Sequence, residues 1–578
     1  MDFIVQEQQG FEIGSSKRME QDDVTILHIT ADAKGEAQKL NFAIKWQIKN
    51  MGVHATWSPG NYKNKEILPE WGAYESSCAM SQAPVLADVS YDDRNRQTIA
   101  CSDGKNKVWM HTGVIEETGC LECVVRMQVD YPITHYEADI RIDLRDIPFY
   151  ETLDDVRKWW EQYDGYLPTV VPETAYDPVY STWYSFHQEV DVEDILKECR
   201  YFSKLGCKTI IVDDGWQTER ASRSYAYCGD WQPVTSKIPN MRKFVEAVHE
   251  TGMKFMLWYS VPFIGSKSQI YTCFQDKMLR LDRTDGDGDT YVVDPRYPEV
   301  REYLIGMYRQ AVLDWDLDGF KLDFVDSFVP SDVVKKGMDY VSVYDAVDRL
   351  LKDVINTLKT IKPNILIEFR QSYMGPLMRT FGNMIRSFDC PNDSWSNGVN
   401  TLALRMTCGE TAVHSDMVMW NYEEKAELAA FQLTRPFFAV PQISARYERM
   451  TKEQADMVTH YLRLWTKYRQ TILFGKMLYK GYTNNYLYVS ARSENKQVGV
   501  IYAGRTAYIE ASTNEIVLIN SSLDTTVLAE SRDMGEYCCR VYNCCGKELR
   551  SETVNLKNMA VILDVPVNGT IVLTGIEK

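Results

Sequence analysis

Asp318-Gly-Phe-Lys-Leu-Asp-Phe-Val-Asp326 is the stretch on which the fold turns. It reads as a short apolar strand that ends by presenting the carboxylate of Asp323. Lys321, two residues earlier, falls on the same face of that strand, because side chains alternate with a period of two. Two other runs share the construction: Thr209-Ile-Ile-Val-Asp-Asp-Gly-Trp216 and Asn383-Met-Ile-Arg-Ser-Phe-Asp389.

Outward from these runs, strands alternate with helices. Strands are expected at 179–186, 208–213, 254–259, 319–324, 364–369, 384–388, 411–416 and 437–440. Amphipathic helices are expected at 192–205, 241–251, 298–315 and 343–359, with Gly206 and Gly252 as stops after the first two. Eight strand–helix units over roughly 300 residues match a (β/α)8 TIM barrel. An open doubly wound sheet would announce itself with a glycine-rich phosphate turn after its first strand, and none is present.

The barrel is expected over 178–474. Residues 1–150 alternate in short runs, such as Val24-Thr-Ile-Leu-His-Ile-Thr30 and Tyr136-Glu-Ala-Asp-Ile-Arg-Ile-Asp-Leu144, separated by turn-rich stretches. That pattern predicts an N-terminal β-sandwich. Residues 151–177 read as a helical, Pro-rich linker. Residues 475–578 are β-rich again, as in Val498-Gly-Val-Ile-Tyr-Ala503 and Met559-Ala-Val-Ile-Leu-Asp564, and predict a small C-terminal β domain.

The 578 residues exceed one compact core. A net charge of −17 argues against nucleic acid or an anionic membrane as partner. With no run of 18 apolar residues and no basic n-region followed by an apolar stretch, the expectation is a cytoplasmic protein. The 14 cysteines are expected as free thiols. Cys120-Leu-Glu-Cys123 has no second pair at ribbon distance, so no metal is expected there. Asp285-Gly-Asp-Gly-Asp289 opens like a calcium loop, but Thr290 and Arg296 stand where glycine and glutamate are required.

Barrel chemistry gathers at the C-terminal ends of the strands. Candidates there are Trp183 and Tyr184, Asp213, Asp214 and Trp216, Trp258 and Tyr259, Lys321 and Asp323, Glu368 and Arg370, Arg386 and Asp389, and His414 and Asp416. A single acid at a strand end often only caps a helix. A convergent set of acids and aromatics is what glycoside cleavage uses: two carboxyls for the bond, others for hydroxyls, and an aromatic face against the sugar ring.

Four segments make the resemblance specific: Leu205-Gly-Cys-Lys-Thr-Ile-Ile-Val-Asp-Asp-Gly-Trp216; Gly229-Asp-Trp231 leading to Gly252-Met-Lys-Phe-Met-Leu-Trp258; Pro298-Glu-Val-Arg-Glu-Tyr-Leu304; and Gly319-Phe-Lys-Leu-Asp323. Together they resemble the α-galactosidase clan, most closely glycoside hydrolase family 36. The likeness spans about 180–420.

The resemblance implies a retaining exo-α-glycosidase without a cofactor, acting on a small-molecule or oligosaccharide α-glycoside. Asp323 would be the nucleophile. Asp389 would be the acid/base, preferred to Asp393 in the loop beyond because it ends the sixth strand. Asp213 and Asp214 would hold the O4 and O6 hydroxyls. Trp183, Trp216, Trp258, Lys321, Arg370 and Arg386 would line the sugar. The expected substrate is a terminal α-galactoside, but the fifth-strand segment Glu368-Phe-Arg-Gln-Ser-Tyr373 departs from the family's Cys-and-glycine pattern where the 2-position is read, which leaves N-acetylgalactosamine or another α-sugar as the alternative. Hydrolysis and glycosyl transfer are both compatible with the motif, as is a non-catalytic sugar-binding barrel. Homo-oligomerisation is also left open.

Overall fold

The computed structural model describes residues 2–6, 10–60, 64–510, 513–531, 534–557 and 560–576. Met559, which begins one of the expected C-terminal strands, lies outside them.

At the centre is a ring of parallel strands: β1 (Val179–Ser181), β2 (Thr209–Val212), β3 (Lys254–Ser260), β4 (Gly319–Asp323), β5 (Leu366–Arg370), β6 (Met384–Arg386), β7 (Ala412–His414) and β8 (Gln442–Ile443). Neighbours pair in sequence order, and β8 pairs with β1. His414 bridges Val440 and Val418 bridges Ile443, which brings β7 to the segment carrying β8 and closes the ring. The strands are short and buried along their length, as expected of a sheet covered on both faces.

Local chemistry explains the punctuation. Asp191, Asn240 and Ser342 cap helices Val192–Phe202, Met241–Glu250 and Val343–Ile361 by accepting from backbone N–H groups. Pro298 occupies the first turn of Pro298–Trp315, where its missing N–H costs nothing. Gly319 begins β4 because a Cβ there would lie 2.3 Å from the Leu366 carbonyl oxygen of β5. Gly215, at φ +118°, turns the chain after Asp213-Asp214 where a Cβ would meet the Gln188 backbone at 2.4 Å.

Three strand expectations are corrected. The first strand stops at Ser181, and Trp183–Phe186 is a short helix whose N–H groups bond back to Thr182 and Trp183. The sixth stops at Arg386, so Asp389 lies in the loop beyond it. The eighth is Gln442–Ile443 rather than 437–440, because the backbone turns at Pro436–Ala439 before Val440 reaches β7.

Two six-stranded sheets precede the barrel and enclose their own apolar core around Phe42, Trp46, Ile99, Val125 and Ile140. A seven-stranded and a three-stranded sheet follow it around Ile516, Leu518, Val527 and Ile571. The architecture is a (β/α)8 barrel with an N-terminal β-sandwich and a C-terminal β domain. A three-stranded insertion (Phe263–Gly265, Met278–Thr284, Asp289–Val293) follows β3. The acidic run Asp285–Asp289 is its hairpin turn, with Asp285 accepting from the N–H groups of Asp287 and Gly288 and from the Ser224 hydroxyl. Among the described residues, no helix is long and apolar enough to cross a membrane.

Candidate active site

Asp323 ends β4 inside a ring of donors. Its Oδ1 accepts from Arg370 Nε at 2.6 Å, from the Tyr373 hydroxyl at 2.7 Å and from the Phe324 N–H at 2.8 Å. Its Oδ2 accepts from Trp258 Nε1 at 3.1 Å. Burial on its own raises a carboxyl pKa; here the charges of Arg370 and Lys321 and the Tyr373 hydrogen bond outweigh it, and Asp323 sits well below the usual carboxylate range. It is an ionised carboxylate with a fixed orientation and only 8% of its side chain exposed.

Lys321 shares the face of Asp323, as its position two residues earlier requires. Its Nζ donates to Asp213 Oδ2 at 2.6 Å in an almost fully buried pair. Asp214 is engaged elsewhere, accepting from the side-chain amides of Gln217 (2.6 Å) and Gln188 (2.7 Å). Burial pushes its pKa up to about 6, with those hydrogen bonds acting the other way.

Arg386, at the end of β6, is buried and spreads its guanidinium over two acids. Nη2 donates to Asp389 Oδ1 at 2.9 Å, and Nη1 donates to Asp416 and to the Ser387 carbonyl. Asp389 keeps 54% of its side chain exposed. Burial raises its pKa, but Arg386 and Lys321 pull harder, and the net direction is down. Asp416 fastens the Asp389 loop by accepting from the Cys390 N–H at 2.7 Å and the Tyr184 hydroxyl at 3.0 Å. Both carboxylate oxygens of Asp393 are engaged by its own helix. The residue caps helix Ser394–Thr407, accepting from the Ser396 N–H at 2.9 Å and hydroxyl at 2.6 Å.

The structure thus brings Asp213, Lys321, Asp323, Arg370, Arg386, Asp389 and Trp258 together. Trp183 is partly exposed, with its ring against His187 and the Arg223 guanidinium. Trp216 is not brought to the site. It is fully buried among Trp231, Tyr259 and Trp315, and its Nε1 donates to the Trp258 carbonyl, so it presents no face to a ligand. Trp258 reaches the site as a donor to Asp323 rather than as an open ring. His414 is structural, with Nε2 2.8 Å from the Ala175 carbonyl, and burial drives its pKa down to about 4.

Sequence reasoning missed the role of Tyr373. It lies in a loop and converges on Asp323 only through the turn after β5. It also missed Asp416 as the anchor of the Asp389 loop, although the apolar run before Asp416 marked it as a strand end.

Residues 174–378 match the family model described as Melibiase. The chain is 22% identical over 317 residues to the α-galactosidase Mel36A of Lactobacillus acidophilus, a match covering 51% of this chain and 41% of that protein. It is 27% identical over 175 residues to an A type blood α-D-galactosamine galactosaminidase of Flavonifractor plautii, covering 27% of this chain and 15% of that protein. These matches span less than half the length of those relatives. Among solved structures, an AgaA variant, a GH36 α-galactosidase from Geobacillus stearothermophilus in complex with stachyose, superposes with a TM-score of 0.68 at 14% identity, covering 98% of this chain and 82% of that one. The α-galactosidase from Lactobacillus brevis gives 0.65 at 13% identity, covering 100% and 85%. In fold and in the matched barrel segment, the chain resembles the α-galactosidases of glycoside hydrolase family 36.

Proposed function

We propose that this protein is a retaining exo-α-glycosidase acting on terminal α-galactosides, with Asp323 as nucleophile and Asp389 as acid/base. The observation that carries the reading is the state of Asp323. A carboxylate held ionised and oriented by four donors at the end of the fourth barrel strand is prepared to attack an anomeric carbon.

In the first step Asp323 forms a bond to C1 while the glycosidic C1–O bond breaks, and Asp389 gives its proton to the departing oxygen. In the second step Asp389, now a base, takes a proton from water. The water oxygen bonds to C1, and the Asp323 ester bond breaks. Asp389 suits this part because it is the exposed acid of the cluster, open to substrate and water. Asp393 is committed to its helix cap. Lys321 and Asp213 form a polar pair able to hold hydroxyls, and Asp214 steadies the turn behind them. The relatives and structural neighbours named α-galactosidases, including one bound to stachyose, support an oligosaccharide α-galactoside as substrate.

A second reading keeps the mechanism and changes the sugar. Arg370 and Tyr373 stand where the family reads the 2-position, and one relative is named for galactosamine. A panel of aryl α-glycosides separates the two readings.

The test of the mechanism is Asp323→Gly. It should be inactive on an aryl α-galactoside and regain activity with azide, giving the β-glycosyl azide. Full activity of Asp323→Ala without azide would end the reading.

A further inference from the structure

Behind the cluster lies a buried acid that the mechanism above does not use. Glu368 of β5 is fully buried, and its Oε2 accepts from the Gln442 side-chain amide of β8. Among the described residues its Oε1 has no hydrogen-bond partner, and neither does Arg386 Nε. These two orphaned atoms face each other at 3.8 Å. Buried polar atoms are rarely left unpaired, and a movement of about 1 Å would join these two as a charged hydrogen bond.

Arg386 is therefore shared among three carboxyls: Asp389, Asp416 and Glu368. In the geometry observed it serves the first two. Held against Arg386, Asp389 favours its ionised form, which is the wrong state for the acid that must protonate a leaving group.

We propose that Glu368 is a positioning residue that withdraws Arg386 from Asp389, so that Asp389 can take up the proton it delivers. Ionised Glu368 draws the Arg386 charge toward β5, and Asp389 becomes easier to protonate. Protonated Glu368 releases Arg386 back to Asp389. The two acids are coupled only through the position of the Arg386 charge; each takes up and loses its own proton, and the guanidinium stays protonated throughout.

The other charged groups around Glu368 are Lys321 of β4 and Asp213 after β2, while the charged and titratable groups around Asp389 are Lys321, Asp323, Arg370, Asp416 and Tyr184. Of the two buried acids that compete with Asp389 for Arg386, Asp416 is already engaged by Arg386 Nη1, the Cys390 N–H and the Tyr184 hydroxyl, whereas Glu368 Oε1 faces Arg386 Nε without a hydrogen bond. Burial raises the Glu368 pKa to about 7, against the charges of Arg386 and Lys321.

The inference rests on Asp389 as acid/base, and its test is the alkaline limb of kcat/KM. Glu368→Gln imitates the protonated state permanently. On an alkyl α-galactoside, whose leaving group needs the proton, the limb should move to lower pH by roughly one unit. On an aryl α-galactoside with a strongly acidic phenol, the rate should change little. If the Gln variant does not fold, Glu368→Asp draws the charge back by one methylene, and the limb should move part of the way. A folded variant with an unmoved limb, or with equal loss on both substrates, overturns the inference and leaves the proposed reaction standing. A wild-type protein inactive on every α-glycoside removes both.

Discussion

Arg370 Nε meets Asp323 Oδ1 at 2.6 Å, joining the end of β5 to the end of β4. The neighbouring Tyr373 hydroxyl reaches the same oxygen. This contact opposes the burial of Asp323 and keeps it charged. Arg370→Met should raise the Asp323 pKa, because the lowering influence is lost while burial remains. The acid limb of kcat/KM on an aryl α-galactoside should move up by roughly 1–3 pH units. The stability linkage has a matching sign. A depressed folded pKa contributes stability above the unfolded carboxyl value that is lost as pH falls through the folded one, so the variant should show a shallower acid loss of Tm.

Asp389 and Asp393 should separate cleanly. Asp389→Ala should lose about 10²–10⁴ in kcat on substrates with poor leaving groups and keep activity on activated aryl glycosides. Asp393→Ala should cost about 1 kcal/mol of stability through its cap and leave the leaving-group dependence of the rate unchanged. Identical leaving-group profiles for the two variants would contradict the assignment.

The Lys321–Asp213 pair is buried, so removing one partner strands the other charge. Lys321→Met should destabilise by about 3–5 kcal/mol in urea unfolding. Adding Asp213→Leu should recover much of that loss while activity stays absent, showing that the pair serves chemistry rather than stability.

Trp216 and Trp183 carry opposite expectations. Trp216→Ala should cost about 3–5 kcal/mol, since it empties an aromatic core site and frees a bonded indole N–H. Trp216→Phe should lower Tm with KM nearly unchanged. Trp183→Ala, at a partly exposed ring, should raise KM for oligosaccharides with little loss of Tm.

The amino-acid sequence by itself determined the succession of buried strands and capped helices, and with it the barrel. It also determined the common face of Lys321 and Asp323, which follows from a strand period of two. These are local properties: apolar runs, caps, and glycines such as Gly319 where two backbones approach. Tertiary structure alone decided which side chains meet. Trp258, Arg370 and Tyr373 converge on Asp323 from separate segments only because β3, β4 and β5 lie side by side in a fixed register. The same closure turned Trp216 into the aromatic core and set Arg386 between Asp389, Asp416 and Glu368. No local pattern encodes these meetings, because each depends on how a closed ring of strands aligns residues far apart in the chain.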